Sequence, residues 1–247
     1  MRGNVIESTH LVHAAIVDIS GALLYSVGNP HRSTLLRSTC KLAQTVAVLE
    51  PCGTMFDFSA ADIALMSASH SSQARHISRA SDILSAVGAS EADMRCGGHP
   101  ALSEAVNQMW LKGDFAPGAL CNNCSGKHAG MLGGARALGA GLADYHLPGH
   151  LMQQAVKEVV EDISGLGPND IEWPIDGCNL PAPAMPLTAM ASLYARFAEA
   201  AAASNAQTNI KRVFEAMQTH PDMVAGEGRF CTIDEGIRKP VDREAGR

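Results

Sequence analysis

Aromatic residues make up only 4% of the sequence, so any large core must be built from aliphatic and small side chains. No basic block is present and the net charge is −6, which argues against nucleic acid as the main partner. No apolar run approaches the ~20 residues of a membrane span. The opening residues, Met1-Arg-Gly-Asn-Val-Ile-Glu7, carry no apolar signal region. The expectation is a cytoplasmic protein with no membrane contact. A disulfide framework is missing too: seven cysteines, an odd number, are scattered irregularly through 247 residues. There is no internal repeat and no low-complexity linker. The length suits one large domain or two small ones.

What is present centres on Cys121-Asn-Asn-Cys124-Ser-Gly-Lys127-His128-Ala-Gly130. Thiolate, amine and imidazole are all Lewis bases, and this stretch offers all three. Gly126 and Gly130 leave room for a ligand to approach the backbone. The apolar run from Met131 to Ala140 reads as a helix entered from a tight loop. Two readings stand: a metal or catalytic pocket, or a packed loop with buried thiols. Cys-x-x-Cys suits zinc, but no second such pair completes a standard site.

The rest of the chain supplies further candidates. His10 to Asp18 and Ala22 to Val27 read as a β-hairpin turning at Ser20-Gly21. Ser38 sits near the start of a helix carrying Leu42, Val46 and Leu49, and Lys41 shares its face. Ser-x-x-Lys there is either an acyl-transfer pair or an ordinary cap beside a solvated lysine. Ser59-Ala-Ala-Asp62 resembles a capping signal. Ile63 to Met66 reads as a short buried strand leading into Ser67-Ala-Ser69-His70-Ser71-Ser72, an active-site loop or a serine-rich turn. Gln73 to Val87 is an amphipathic helix closed by Gly88. Cys96-Gly-Gly-His99-Pro100 has a Cys and a His at ligand spacing, but its composition is that of a rigid turn. Further helices are expected at Ala101 to Leu111 (Leu102, Val106 and Met109 inward), His150 to Ile163, Leu187 to Ala203 and Ile210 to Thr219. Ile175-Asp176-Gly-Cys178-Asn-Leu-Pro181 is a fixed loop whose thiol could complete a site with Cys124. The stretch from 233 to 247 is rich in charge and reads as a solvated tail.

Taken in order, these motifs resemble one family: Ser8-Thr-His10-Leu-Val-His13, Arg37-Ser38-x-x-Lys41, Ala68-Ser69-His70-Ser71, Cys96-Gly-Gly-His99-Pro100, Cys124-Ser-Gly-Lys127-His128, Asp176-Gly-Cys178-Asn-x-Pro181 and Met223-Val-Ala-Gly226-Glu-Gly228-Arg229. The pattern is similar to the rhizobial-type L-asparaginase II family over residues 5–232. The resemblance implies an α/β (α+β) fold of the serine-β-lactamase and penicillin-binding kind, an antiparallel sheet with helices packed on it. It implies hydrolysis of L-asparagine to aspartate and ammonia in a homodimer. Ser38 would be the nucleophile with Lys41 as its base, and Ser69 would belong to a second Ser–Lys pair. Arg37, Asp176 and His128 would contact substrate, and Cys124, Lys127 and Cys178 would hold a zinc ion. Cys121 is then no ligand.

The pattern departs at the C-terminus, where family members continue into strands bearing a Lys-x-Gly segment. The expectation is an incomplete domain over 1–232 with a divergent tail, C-terminal strands missing, Ser69 without its lysine and an exposed sheet edge. Two other readings remain: a zinc-holding protein that binds asparagine without hydrolysing it, or another Ser–Lys amidase.

Overall fold

The computed structural model describes residues 2–53, 55–203 and 208–233; the 234–247 stretch, and so the reading of it as a solvated tail, lies outside the described residues. Helices dominate, and the strands form two small antiparallel pairs, which places the chain in the mixed α/β class. Strand β1 (Ala14–Val17) pairs with β2 (Leu23–Val27) through a turn in which the Asp18 carboxylate accepts the Ser20 and Ala22 backbone N–H groups. A bulge between Ile16 and Val17 shifts the register. Every residue of β2 is exposed, an uncharged edge of Leu-Leu-Tyr-Ser-Val. The second pair joins β3 (Ser33–Leu35) to a strand 150 residues away, described below. The single helix-backed sheet expected from the sequence is not seen among the described residues.

The core is a helical assembly. Helix α1 (Lys41–Cys52) is buried along nearly its whole length because other helices surround it. The segment expected as a strand at Ile63 to Met66 is helix α2 (Ala60–Met66). Its start explains the correction: Ser59 Oγ accepts the Asp62 N–H while the Asp62 carboxylate takes the Ser59 N–H at 2.9 Å, a closed capping box that commits the next turn to helix. Helix α3 (Ala74–Ala86) follows as expected, ending ahead of Gly88 at φ +68°. Helix α4 (Glu104–Lys112) buries only Val106; Leu102 and Met109, expected inward, are exposed.

Helix α5 (Ser125–Ala137) begins earlier than its apolar run suggested and is buried from Ser125 through Ala135. Its glycines serve packing, not ligand approach. A Cβ on Gly126 would lie 2.5 Å from the Leu65 carbonyl oxygen, and one on Gly130 would lie 2.8 Å from Met66 Sδ. Gly134 likewise meets Met152 on helix α6 (Leu151–Ser164), which His150 caps. The glycine face lets α5 lie against α2 at backbone contact.

Strand β4 (Ala184–Pro186) is the partner of β3, with Ser33 opposite Pro186, Thr34 opposite Met185 and Leu35 opposite Ala184. Helices α7 (Leu187–Ala202), α8 (Asn209–Thr219), α9 (Pro221–Val224) and α10 (Phe230–Ile233) complete the described chain. On α7, Leu193 and Phe197 are buried, whereas Tyr194 is 38% exposed and donates to the Thr39 carbonyl. Among the described residues no helix is long and apolar enough to cross a membrane.

The α5–α2 contact gives a stability test. Gly126→Ala puts a methyl against rigid backbone and should lower stability by about 1–3 kcal/mol, read as a depressed melting temperature. Gly141→Ala, where a Cβ meets nothing within 4 Å, should melt like the parent. Equal melting of the two variants would contradict the close packing.

Candidate active site

Two segments far apart in sequence are joined by the β3–β4 pairing. Leu36, just past β3, donates its N–H to the Pro183 carbonyl at 2.9 Å. The chain then turns sharply at Arg37, whose φ of +50° is a left-handed conformation that a non-glycine residue adopts at a cost. A 3-10 turn over Arg37–Cys40 leads into α1. Ser38 is left exposed at this junction, and Lys41 is driven inward as the first residue of the buried helix. Across from it, Arg37 Nε donates to Asp176 Oδ1 at 3.0 Å, an ion pair tying the helix entrance to the 176–183 loop.

Between these segments lies a cavity of about 220 Å³. Its wall includes Arg37, Ser38, His99, Asn123, Cys124, Asp176 and Cys178. Of the nine site residues expected from the sequence, five meet here: Arg37, Ser38, Cys124, Asp176 and Cys178. Lys41, Ser69, Lys127 and His128 do not line it.

The Lys41 amine sits behind the cavity. It donates to Ser69 Oγ at 3.0 Å and to the Asn123 carbonyl at 3.5 Å, and it hydrogen-bonds the Ala68 carbonyl. Ser69 was expected to lack a lysine; Lys41 supplies an amine at hydrogen-bond distance. The structure contains no hydrogen bond from Lys41 to Ser38. Burial lowers the Lys41 pKa from its ordinary 10.5, against the pull of Cys124.

Lys127 is the second buried amine, and its Nζ lies 3.1 Å from Cys178 Sγ. Burial alone would lower its pKa, but Cys124 and Cys178 together outweigh burial and raise it. Cys178 and the nearby Lys41 and Lys127 amines hold the Cys124 pKa below its ordinary value, and the closeness of the two sulfurs pushes Cys178 up. Cys124 Sγ lies 3.7 Å from Asn123 Oδ1. Elsewhere burial pushes Cys40 and Cys96 up to about 12, marking them as inert core thiols. Cys121 is buried and lies outside the cavity wall.

Three buried imidazoles surround this centre. His128 is fully buried, with Nδ1 2.6 Å from the Tyr145 hydroxyl. It stands behind the wall, out of reach of a ligand in the cavity, so the substrate contact expected of it is not offered here. His70 and His76 stack at 5.0 Å between ring centres. Sequence reasoning passed over this stack, as it did Tyr145 and Asn123, because none of them carries a spacing signal. His99 was noticed but weighed as part of a turn.

A family model described as L-asparaginase II matches residues 1–233. The chain belongs to the L-asparaginase II family. No curated relative matches it. The family match spans all of the described residues, including both segments that build the cavity.

A pH test follows from the imidazoles. Burial first, then neighbouring cationic groups, lowers His70 and His128 well below 6.5; burial lowers His76. The folded state therefore binds fewer protons than the unfolded chain. This contribution to stability is complete above about pH 6.5 and is lost as pH falls from there through the folded values. The urea midpoint should decline steadily on acidification below that point. A midpoint that holds or rises there would contradict the burial of three neutral rings.

Proposed function

We propose that the chain is an L-asparagine amidohydrolase. The observation that carries this reading is the meeting of Ser38, Arg37 and Asp176 on one polar cavity backed by a buried lysine, in a chain of the L-asparaginase II family. In this reading Arg37 binds the substrate α-carboxylate and Asp176 its ammonium, the two exchanging their mutual ion pair for the zwitterion. Ser38 attacks the side-chain carbonyl and ammonia leaves; water then cleaves the ester. Lys41 receives the serine proton as a neutral amine, which burial favours. Because Lys41 already holds Ser69, we assign Ser69 as the hydroxyl through which Lys41 is positioned, or relayed, toward Ser38.

Cys124, Cys178 and Lys127 would hold a zinc ion. Among the described residues no group of three or more His, Cys, Asp or Glu forms a metal cluster, so the fit rests on a sulfur–sulfur–nitrogen set with lysine as the third donor. The donors suit zinc: two cysteine sulfurs on one cavity wall, with the Lys127 amine 3.1 Å from one of them. Zinc, when bound, supplies a fixed positive charge at the cavity wall. Lys127 must give up its proton to serve as a ligand, so zinc affinity should weaken as the pH is lowered. The β-lactamase-like architecture and the homodimer belong to the same reading and rest on the family resemblance.

A second reading is favoured by one observation, the absence of a hydrogen bond from Lys41 to Ser38. It is a zinc-holding protein that binds asparagine without hydrolysing it. Ammonia release from L-asparagine, measured alongside melting temperature, separates the two. Hydrolysis predicts turnover that falls at least about a hundredfold in Ser38→Ala, the usual scale for losing a reacting group. Stabilisation by asparagine with no ammonia from the parent would establish binding alone. In the same preparation, Cys178→Ser should lower the zinc bound per chain; unchanged zinc content would remove Cys178 from the ligand set.

A further inference from the structure

The proposed reaction leaves the pair His99 and Asn123 unused, although both line the cavity. His99 Nδ1 lies 2.6 Å from the Pro100 carbonyl oxygen, so Nδ1 carries the proton and donates it there. Its Nε2 lies 3.2 Å from the backbone N–H of Asn123. A backbone N–H cannot be turned around; it requires a lone pair at Nε2. Nδ1–H is thus the donor of this ring and Nε2 the acceptor.

The Asn123 side chain meets the same nitrogen. Its oxygen end lies 2.8 Å from Nε2, a contact that two lone pairs cannot share. Turned by half a rotation about its last bond, the amide donates Nδ2–H into the contact instead. Oδ1 then becomes the branch turned away from the ring. In the turned amide Nδ2 stands 3.7 Å from Cys124 Sγ, which can accept from it, and Asn123 is only partly buried where it lines the cavity. The Asn123 backbone is fixed as well, since its carbonyl accepts from Lys41 Nζ and from the His70 N–H at 3.3 Å.

We infer that Asn123, oriented by His99, distinguishes a carboxamide from a carboxylate in this cavity. Oδ1 accepts an N–H from the substrate's side-chain amide, a donor that the acid product lacks, and it repels the product's oxygen. Asn123 is thus a specificity residue and His99 a positioning residue. The inference rests on the asparagine reading of the cavity.

Calorimetric titration of L-asparagine and L-aspartate into the Ser38→Ala/Ser69→Ala chain measures the preference without turnover. Adding Asn123→Leu should weaken asparagine about five- to tenfold, the worth of one hydrogen bond, and leave aspartate little changed. His99→Leu, which frees the amide to turn, should lose part of the preference. His99→Gln, which can offer a carbonyl oxygen to Nδ2–H, should restore it. Equal weakening of both ligands by Asn123→Leu, or an unchanged ratio, would overturn this inference alone. A parent that binds neither ligand would overturn the asparagine reading and this inference with it.

Discussion

A lysine amine removed from water must be solvated by protein, and at Lys41 that requirement organises the centre of the molecule. The side chain is 1% exposed. Its hydrogen bonds go to three acceptors on two segments: the Ala68 carbonyl, the Ser69 hydroxyl and the Asn123 carbonyl. One amine thus pins the start of α1 to the serine loop and to the turn before α5. An unpaired buried ammonium is costly, so the three acceptors and a lowered pKa are linked consequences of one burial. Cys124 nearby opposes that lowering and Lys127 adds to it.

That arrangement needs helices closer together than ordinary side chains allow. The glycines of α5 bring it against α2, which sets the start of α5, with Cys124 and Lys127, beside the Ser67–Ser72 loop: the His70 N–H donates to the Asn123 carbonyl at 3.3 Å and His70 Nε2 lies 2.9 Å from Ser125 Oγ. The β3–β4 pairing does the same for the opposite wall, carrying Arg37 and Ser38 to the Asp176–Cys178 loop. Packing and chemistry are thus set by the same residues. The left-handed backbone at Arg37 stores strain where the ion pair with Asp176 holds it.

Much of this was legible in the sequence, for definable reasons. Helices α3, α6, α7 and α8 follow from apolar periodicity and end signals, which are local. Cys124, Cys178, Ser38 and Asp176 were legible as motifs. The errors are equally physical. Ile63 to Met66 is apolar on all sides because helices surround it, and periodicity cannot separate such a helix from a buried strand; the capping box at Ser59 was the signal that decided it. Gly126 and Gly130 suggested ligand approach because glycine reports that something comes close, not what. Lys41 was read as the base of Ser38 from spacing along one helix, whereas its hydrogen bond crosses to Ser69, a tertiary contact no local pattern encodes. The His70–His76 stack and the His99–Asn123 pair are of the same kind.

The most direct test of the account is ammonia release from L-asparagine by the parent chain and by Lys41→Met, with the melting curve of each. If the buried amine is the base that the site is built around, the parent turns over and Lys41→Met loses at least about a hundredfold while still melting cooperatively. A folded Lys41→Met chain that releases ammonia at the parent's rate would contradict the account.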